Sequence, residues 1–275
     1  MRFTGFILQL ETPLHIGAGR GGMLLRSHGF VPGHLVSYAL AAVIGKASGD
    51  FKKALEIVLR ETRCGPLFIH DTEEKRVLSP RRDRERIETR YLTARNQVTL
   101  DPQTCSAVET ALFEVESIAA RTLHGSYRGQ WVRLAGGLWH TTPQLANKHL
   151  QNWFHHELLL GGELKVGLGR VKLAKQGWMP NARHYAQQSA WLVNEHGLQR
   201  GVGDLLPGPS LNGTMDAPLQ PWLGRLFDPQ QGFGRRFSPP ALVRMDGRVQ
   251  ETGTFLPSCD ESGLGCWTRS DVPTD

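Results

Sequence analysis

From residue 2 to residue 10 the chain alternates: Phe6, Leu8 and Leu10 fall on one face and Ile7 on the other, which predicts a first strand. A turn-rich stretch follows from Glu11 to Gly22, with Arg26 and His28 just beyond it, forming a loop rich in glycine and arginine. Pro32 and Gly33 then introduce His34 to Lys46, where Leu35, Tyr38, Ala39 and Ala42 recur at helical spacing. Asp50 is placed to cap a second helix whose Phe51, Ala54, Leu55, Val58 and Leu59 make one apolar stripe. Gly65 to Asp71 reads as a short strand entered through a turn. Strand-like runs return at Gln97 to Leu100, Leu112 to Ile118 and Gln130 to Leu134.

Thr142 followed by Pro143 predicts a helix start, with the hydroxyl as N-cap and proline in the first turn. Leu150, Trp153, Phe154 and Leu158 continue it as an apolar stripe, Gly161 stops it, and Val171 to Leu173 reads as the strand that receives the chain. Strand, helix, strands, helix, strand is the order of a ferredoxin-like βαββαβ unit, so the expected class is α+β. From about Gly177 the sequence is richer in proline and glycine, as in Leu206-Pro207-Gly208-Pro209, and predicts a loop-rich second lobe or a wrapped extension. The expected organisation is one domain over 1–176, carrying a basic arm at about 73–95, and a loop-rich lobe over 177–275.

Between the predicted last helix and last strand lies Gly161-Gly162-Glu163-Leu164-Lys165-Val166-Gly167-Leu168-Gly169-Arg170. Glycine allows positive φ and close backbone approach, while Lys165 and Arg170 supply phosphate-seeking charge, so the loop suits a nucleic-acid strand. The glycine spacing excludes a dinucleotide fingerprint, and no Gly-Lys-Ser/Thr opens a helix as a P-loop requires. The same glycines also suit a plain helix-to-strand turn.

Composition narrows the class. At 275 residues with 40% hydrophobic content and a mean hydropathy of -0.32, the chain has material for a sizeable core. No apolar run approaches the roughly 20 residues of a membrane span, and the opening residues lack a signal-peptide pattern, so the expected compartment is cytoplasmic. Net charge is +6 with a pI near 9.3, which favours an anionic partner. Cys64, Cys105, Cys259 and Cys266 are scattered without a CxxC pair, and the spacing of the last two fits ordinary zinc ribbons poorly.

From Lys75 to Arg95 there are eight Lys or Arg residues against three acids, with Glu73 and Glu74 just ahead. Without an evident apolar face this stretch is either a solvated element with local ion pairs or an arm that orders on RNA. Phe233, Arg235 and Arg236 form a smaller basic and aromatic cluster, or a solvated turn.

The order of several short segments resembles the RAMP superfamily of CRISPR proteins. Thr12-Pro13-Leu14-His15-Ile16-Gly17 is similar to that family's segment after the first strand, and Val31-Pro32-Gly33-His34 to its approach to the first helix. Arg95 to Asp101 followed by Ala111 to Glu116 is similar to a central segment of type III subunits. Gly161-Gly162 with Gly167-Leu168-Gly169-Arg170 resembles the glycine-rich loop. Together these cover about residues 2 to 176.

The resemblance implies a RAMP ferredoxin-like core and a subunit of a class 1 CRISPR ribonucleoprotein, type III or type III-derived including type VII. Backbone subunits of that family often slice targets with an aspartate after the first strand, and residues 12 to 33 contain none. The chain is most like the Cas-five group, which implies a non-catalytic cap on the five-prime tag of the crRNA, needing neither cofactor nor metal. The implied partners are the crRNA, backbone RAMP subunits, an effector nuclease or large subunit, and target nucleic acid reached through the complex. Candidate RNA-binding residues are Gly17, Gly19, Arg20, Arg26 and His28 on the first loop and Gly162, Lys165, Gly167, Gly169 and Arg170 on the second. Arg90, Arg95 and Asn96 join them as a clamp, with Tyr91 as a base-stacking ring or a partly buried sheet residue. Two alternatives stand beside this: a metal-independent repeat-processing endoribonuclease using His15, His28 or His34, and a non-cleaving backbone subunit tiling the guide.

Overall fold

In a computed structural model of the chain, the described residues are 1–212, 215–228, 232–258 and 265–270. Arg2–Leu10 is central to the main sheet, pairing antiparallel with Arg133–His140 on one side and Arg170–Met179 on the other. Leu67–Asp71 pairs antiparallel beyond Arg133–His140. The helices Gly33–Ser48 and Phe51–Glu61 separate the first two of these strands in sequence, and Leu150–Phe154 precedes the last. In space the last strand lies beside the first, then the third, then the second, which is the ferredoxin-like arrangement in an α+β chain.

Alternation along the first strand sorts two cores. Phe6, Leu8 and Leu10 pack with Val36, Leu40, Ile44 and Val58 from the helices. Phe3 and Ile7 face the other way, into a layer that includes Trp139, Trp191 and Trp267. Gly5 lies on that second face, where a Cβ would sit 2.2 Å from the Tyr185 ring; its bare backbone lets the helix Ala182–Ser189 seat on the sheet. The first helix stops at Gly49, φ 78, whose N–H bonds the Gly45 carbonyl, as a left-handed C-terminal glycine does. Asp50 caps the next helix by accepting the Lys53 N–H at 2.9 Å.

Thr142 and Pro143 do not open a helix. Gln144–Leu145 and Lys148–His149 form a tight hairpin, turning through Ala146 and Asn147 at φ 47 and 63, and two successive left-handed residues cannot continue a right-handed helix. The Thr142 hydroxyl accepts the Gln144 N–H instead, at 3.2 Å. Only Leu150–Phe154 is helical, and Gly161 follows the short strand Leu158–Leu159 rather than ending a helix. The stripe of Leu150, Trp153, Phe154 and Leu158 is buried all the same.

Residues 72–132 are an insertion between the second and third sheet strands. The Lys75 to Arg95 stretch is folded, not an arm awaiting RNA. Its helix Arg84–Tyr91 buries Ile87 and Tyr91, one turn apart on the face that the charge pattern hid. Its arginines meet carboxylates: Arg76 is bidentate on Asp83 at 2.8 and 2.7 Å, Arg86 reaches Asp71 at 2.7 Å, and Arg90 reaches Glu73 at 2.6 Å. After this helix, Leu92–Leu100 and Ala107–Ile118 make a long hairpin. The hairpin Gly17–Gly21 with Leu24–Ser27 joins it in a four-stranded sheet, and the join is parallel.

The stretch read as loop-rich from Gly177 onward is built largely of short strands, most of them in one further sheet. Pro207 falls where the strand Leu205–Asn212 shifts register, between Leu206 and Pro209, at an interruption of the ladder that suits a residue without an N–H. Asp246 ties this layer to the insertion. Its buried carboxylate accepts the N–H groups of Gly208 and Arg81 and faces the Ser79 hydroxyl at 3.4 Å. Among the described residues no helix is long and apolar enough to cross a membrane.

Candidate nucleic-acid interface

Two loops meet at one end of the main sheet. Glu11 N–H bonds the Arg170 carbonyl at 2.9 Å, Gly169 N–H bonds the Pro13 carbonyl at 2.8 Å, and Gly162 N–H bonds the His15 carbonyl at 2.9 Å. Glycine is needed where these backbones touch. A Cβ on Gly161, φ 77, would lie 2.2 Å from the His15 oxygen, and one on Gly169, φ 86, would lie 2.1 Å from the Leu160 oxygen. Gly162 faces the His15 ring, with 3.4 Å available to a Cβ. Gly167, φ 86, closes the 3-10 turn Leu164–Val166 in open space. Lys165 is exposed on that turn. Arg170 is exposed beside Glu157, at 3.6 Å.

The first loop is a hairpin. Gly19 sits at φ 104, and Arg20 is braced by its Nε–H to the Gly22 carbonyl at 2.8 Å. Arg20 pairs with Leu25, Leu25 with Val115, and Val115 with Arg95, so Arg20 and Arg95 occupy one row and one face at opposite edges of the four-stranded sheet. Arg26 is next to Leu25 in sequence and Asn96 next to Arg95, which puts both on the other face. All four are exposed. The pleat therefore divides a group that the linear sequence presents as one.

Three expected contacts require correction. Tyr91 is 5% exposed and packed in the helix-side core, so its ring is not a stacking surface. Arg90 is committed to Glu73. His28 packs against the stacked rings of Phe30 and Trp222, at 5.2 and 5.6 Å, with its backbone N–H on the Ile16 carbonyl. Burial, reinforced by nearby His15, lowers its pKa to about 4, so it is a neutral ring and not a phosphate-binding cation. His15 is 7% exposed, with Nδ1 2.6 Å from the Glu116 carbonyl, and His34 is 8% exposed against Tyr38.

One feature the sequence reading missed lies on the segment 121–131. Arg121 holds its guanidinium 3.8 Å above the Trp131 ring, fixed by a bond from Nη1 to the Gly129 carbonyl at 2.7 Å. The interleaving of Arg121, His124, Tyr127, Arg128 and Trp131 was the signal in the sequence. Cys266 is buried, whereas Cys259 lies outside the described residues. The side chains of Phe233 and Arg235 are likewise outside them, and Arg236 is exposed. No group of three metal-ligating side chains occurs among the described residues.

No protein-family model and no curated protein matches the chain. Among solved structures it is similar to chains of type III-B Cmr-beta complexes. One, from a complex bound to cognate target RNA and AMPPnP, is 10% identical with a TM-score of 0.47, over 98% of this chain and 99% of that one. A second, from a complex bound to cognate target RNA, is 9% identical with a TM-score of 0.40, over 65% and 97%. A third, from the apo state, is 9% identical with a TM-score of 0.35, over 64% and 97%.

Proposed function

We propose that this chain is a non-catalytic RNA-binding subunit of a class 1 CRISPR ribonucleoprotein, holding the five-prime tag of the crRNA and starting the filament of backbone subunits. The observation that carries the reading is the junction of the two glycine loops, where Gly162 N–H meets the His15 carbonyl and Gly169 N–H meets the Pro13 carbonyl. That junction mounts Lys165 and Arg170 on a braced backbone, with Arg20 on the adjoining hairpin. A phosphate backbone needs such exposed cations in fixed positions to set its register. Two of the segments that carry the RAMP resemblance, Thr12 to Gly17 and Gly161 to Arg170, build the junction.

The histidines support a binding role over a nuclease role. His15 and His34 are buried, and His28, lowered to about 4, is a weak base at neutral pH. The test is to incubate the purified protein, without metal, with labelled CRISPR repeat RNA and with a mature guide carrying its five-prime tag. Tight, tag-dependent binding without cleavage is expected. Cutting of the repeat that disappears on His15→Ala or His28→Ala would overturn the reading in favour of a processing nuclease. Several copies per guide in a reconstituted complex would make the chain a backbone subunit.

A further inference from the structure

The register of the main sheet puts a stacking platform in line with the glycine loop. Lys172, Gln9, Arg133 and His70 form one row across its four strands. One row outward, Val171 pairs with Leu10, and the Leu10 N–H bonds the Val132 carbonyl at 3.0 Å. Next along their strands come Arg170 and Trp131, at the same end of the sheet and two strand spacings apart, about 10 Å. Neighbouring nucleotides of one strand cover such a distance.

Trp131 is 37% exposed, whereas Trp139, Trp153, Trp191, Trp222 and Trp267 are buried. Its solvent-side geometry is fixed: the Arg121 guanidinium sits 3.8 Å over the ring centre and is itself held by the Gly129 carbonyl. A guanidinium plane backed by an indole accepts a further flat ring on its outer face. Trp131 also walls a narrow cleft shared with Tyr127, Arg90, Glu73 and His70. In it the His70 Nδ1 is buried with no hydrogen-bond partner among the described residues. Arg90 and Glu73 pair with each other across that cleft, so the site offers stacking rather than a read-out of the base's polar edge.

We infer that Arg121 and Trp131 form a base-stacking site for single-stranded RNA, taking a nucleobase whose phosphates lead toward Arg170. This rests on the RNA-binding reading above and adds a contact to it that does not act through charge.

The test is a binding titration of the full chain with a labelled guide RNA and a set of copies each lacking one base. With the unsubstituted protein, one abasic position is expected to weaken binding about tenfold. Trp131→Ala is expected to cause a similar loss on the intact RNA and to erase the penalty of that one abasic position. Trp131→Phe retains most of the affinity, and Arg121→Ala reproduces the effect should Trp131→Ala fail to fold. An abasic profile unchanged by Trp131→Ala and Arg121→Ala overturns the inference while leaving the charge-based reading standing, provided Lys165→Ala and Arg170→Ala still weaken binding. Absence of any RNA binding by the unsubstituted chain overturns both.

Discussion

His15 and Gly162 are joined through their backbones, the carbonyl of one accepting the N–H of the other at 2.9 Å, although 147 positions of sequence separate residue 15 from residue 162. The contact fixes the glycine loop on the loop after the first strand. A backbone bond also leaves the side chains on both loops free to face a ligand.

Glycines in the second loop are therefore expected to respond unequally to substitution. Gly161→Ala places a Cβ against the His15 oxygen at positive φ, and about 2 kcal/mol or more of stability or local order should be lost. Gly167→Ala has open space around it and bears only the positive-φ penalty, about 1 kcal/mol. Thermal unfolding and guide-RNA affinity measured on both variants check the order. Equal effects would mean that the loop is not braced as described.

Lys165 and Arg170 are expected to act through phosphates. Replacing each with alanine should reduce the slope of log affinity against log salt by about 0.7 per contact. A titration from low to moderate salt with each variant reads this directly. An unchanged slope would remove that residue from the interface.

His28 predicts a pH dependence with a definite sign. Its folded pKa of about 4 lies below the ordinary 6.5, so the stabilising contribution is present above 6.5 and is lost as pH falls through about 4. The difference corresponds to about 3 kcal/mol at most. His28→Phe keeps a ring against Phe30 and Trp222 but cannot titrate, and its melting temperature should fall less steeply than that of the parent between those pH values. Parallel curves would refute the assignment.

Arg86→Ala is expected to be costly. Asp71 is 1% exposed and lies 2.7 Å from Arg86, so removing the guanidinium leaves a buried charge held only by the Glu73 and Glu74 N–H groups, at a cost of about 3 kcal/mol. Arg84→Ala breaks only the exposed pair with Glu88 and should change stability by less than about 1 kcal/mol. Denaturant unfolding of the two variants separates a buried ion pair from a surface one.

The ferredoxin-like order of the main strands and the glycines of the second loop were legible in the sequence. Alternation in Arg2–Leu10, helical spacing after Pro32, the Asp50 cap, and the clustering of Gly167, Gly169 and Arg170 are patterns that a short window of the chain contains whole. Tertiary structure decided which candidates remain available to a ligand. Arg90 is paired with Glu73, 17 positions away, Tyr91 is buried in the helix-side core, and His28 is enclosed by Trp222 from the C-terminal layer. The pleat set Arg20 and Arg95 on one face and Arg26 and Asn96 on the other, a division that exists only once four strands are in register. Two left-handed residues at Ala146 and Asn147 overrode the helix signal of Thr142 and Pro143. The Arg121–Trp131 stack likewise forms across an isolated antiparallel bridge outside the strands. Burial, charge pairing and register are properties of residues distant in sequence, which is why no window along the chain contains them.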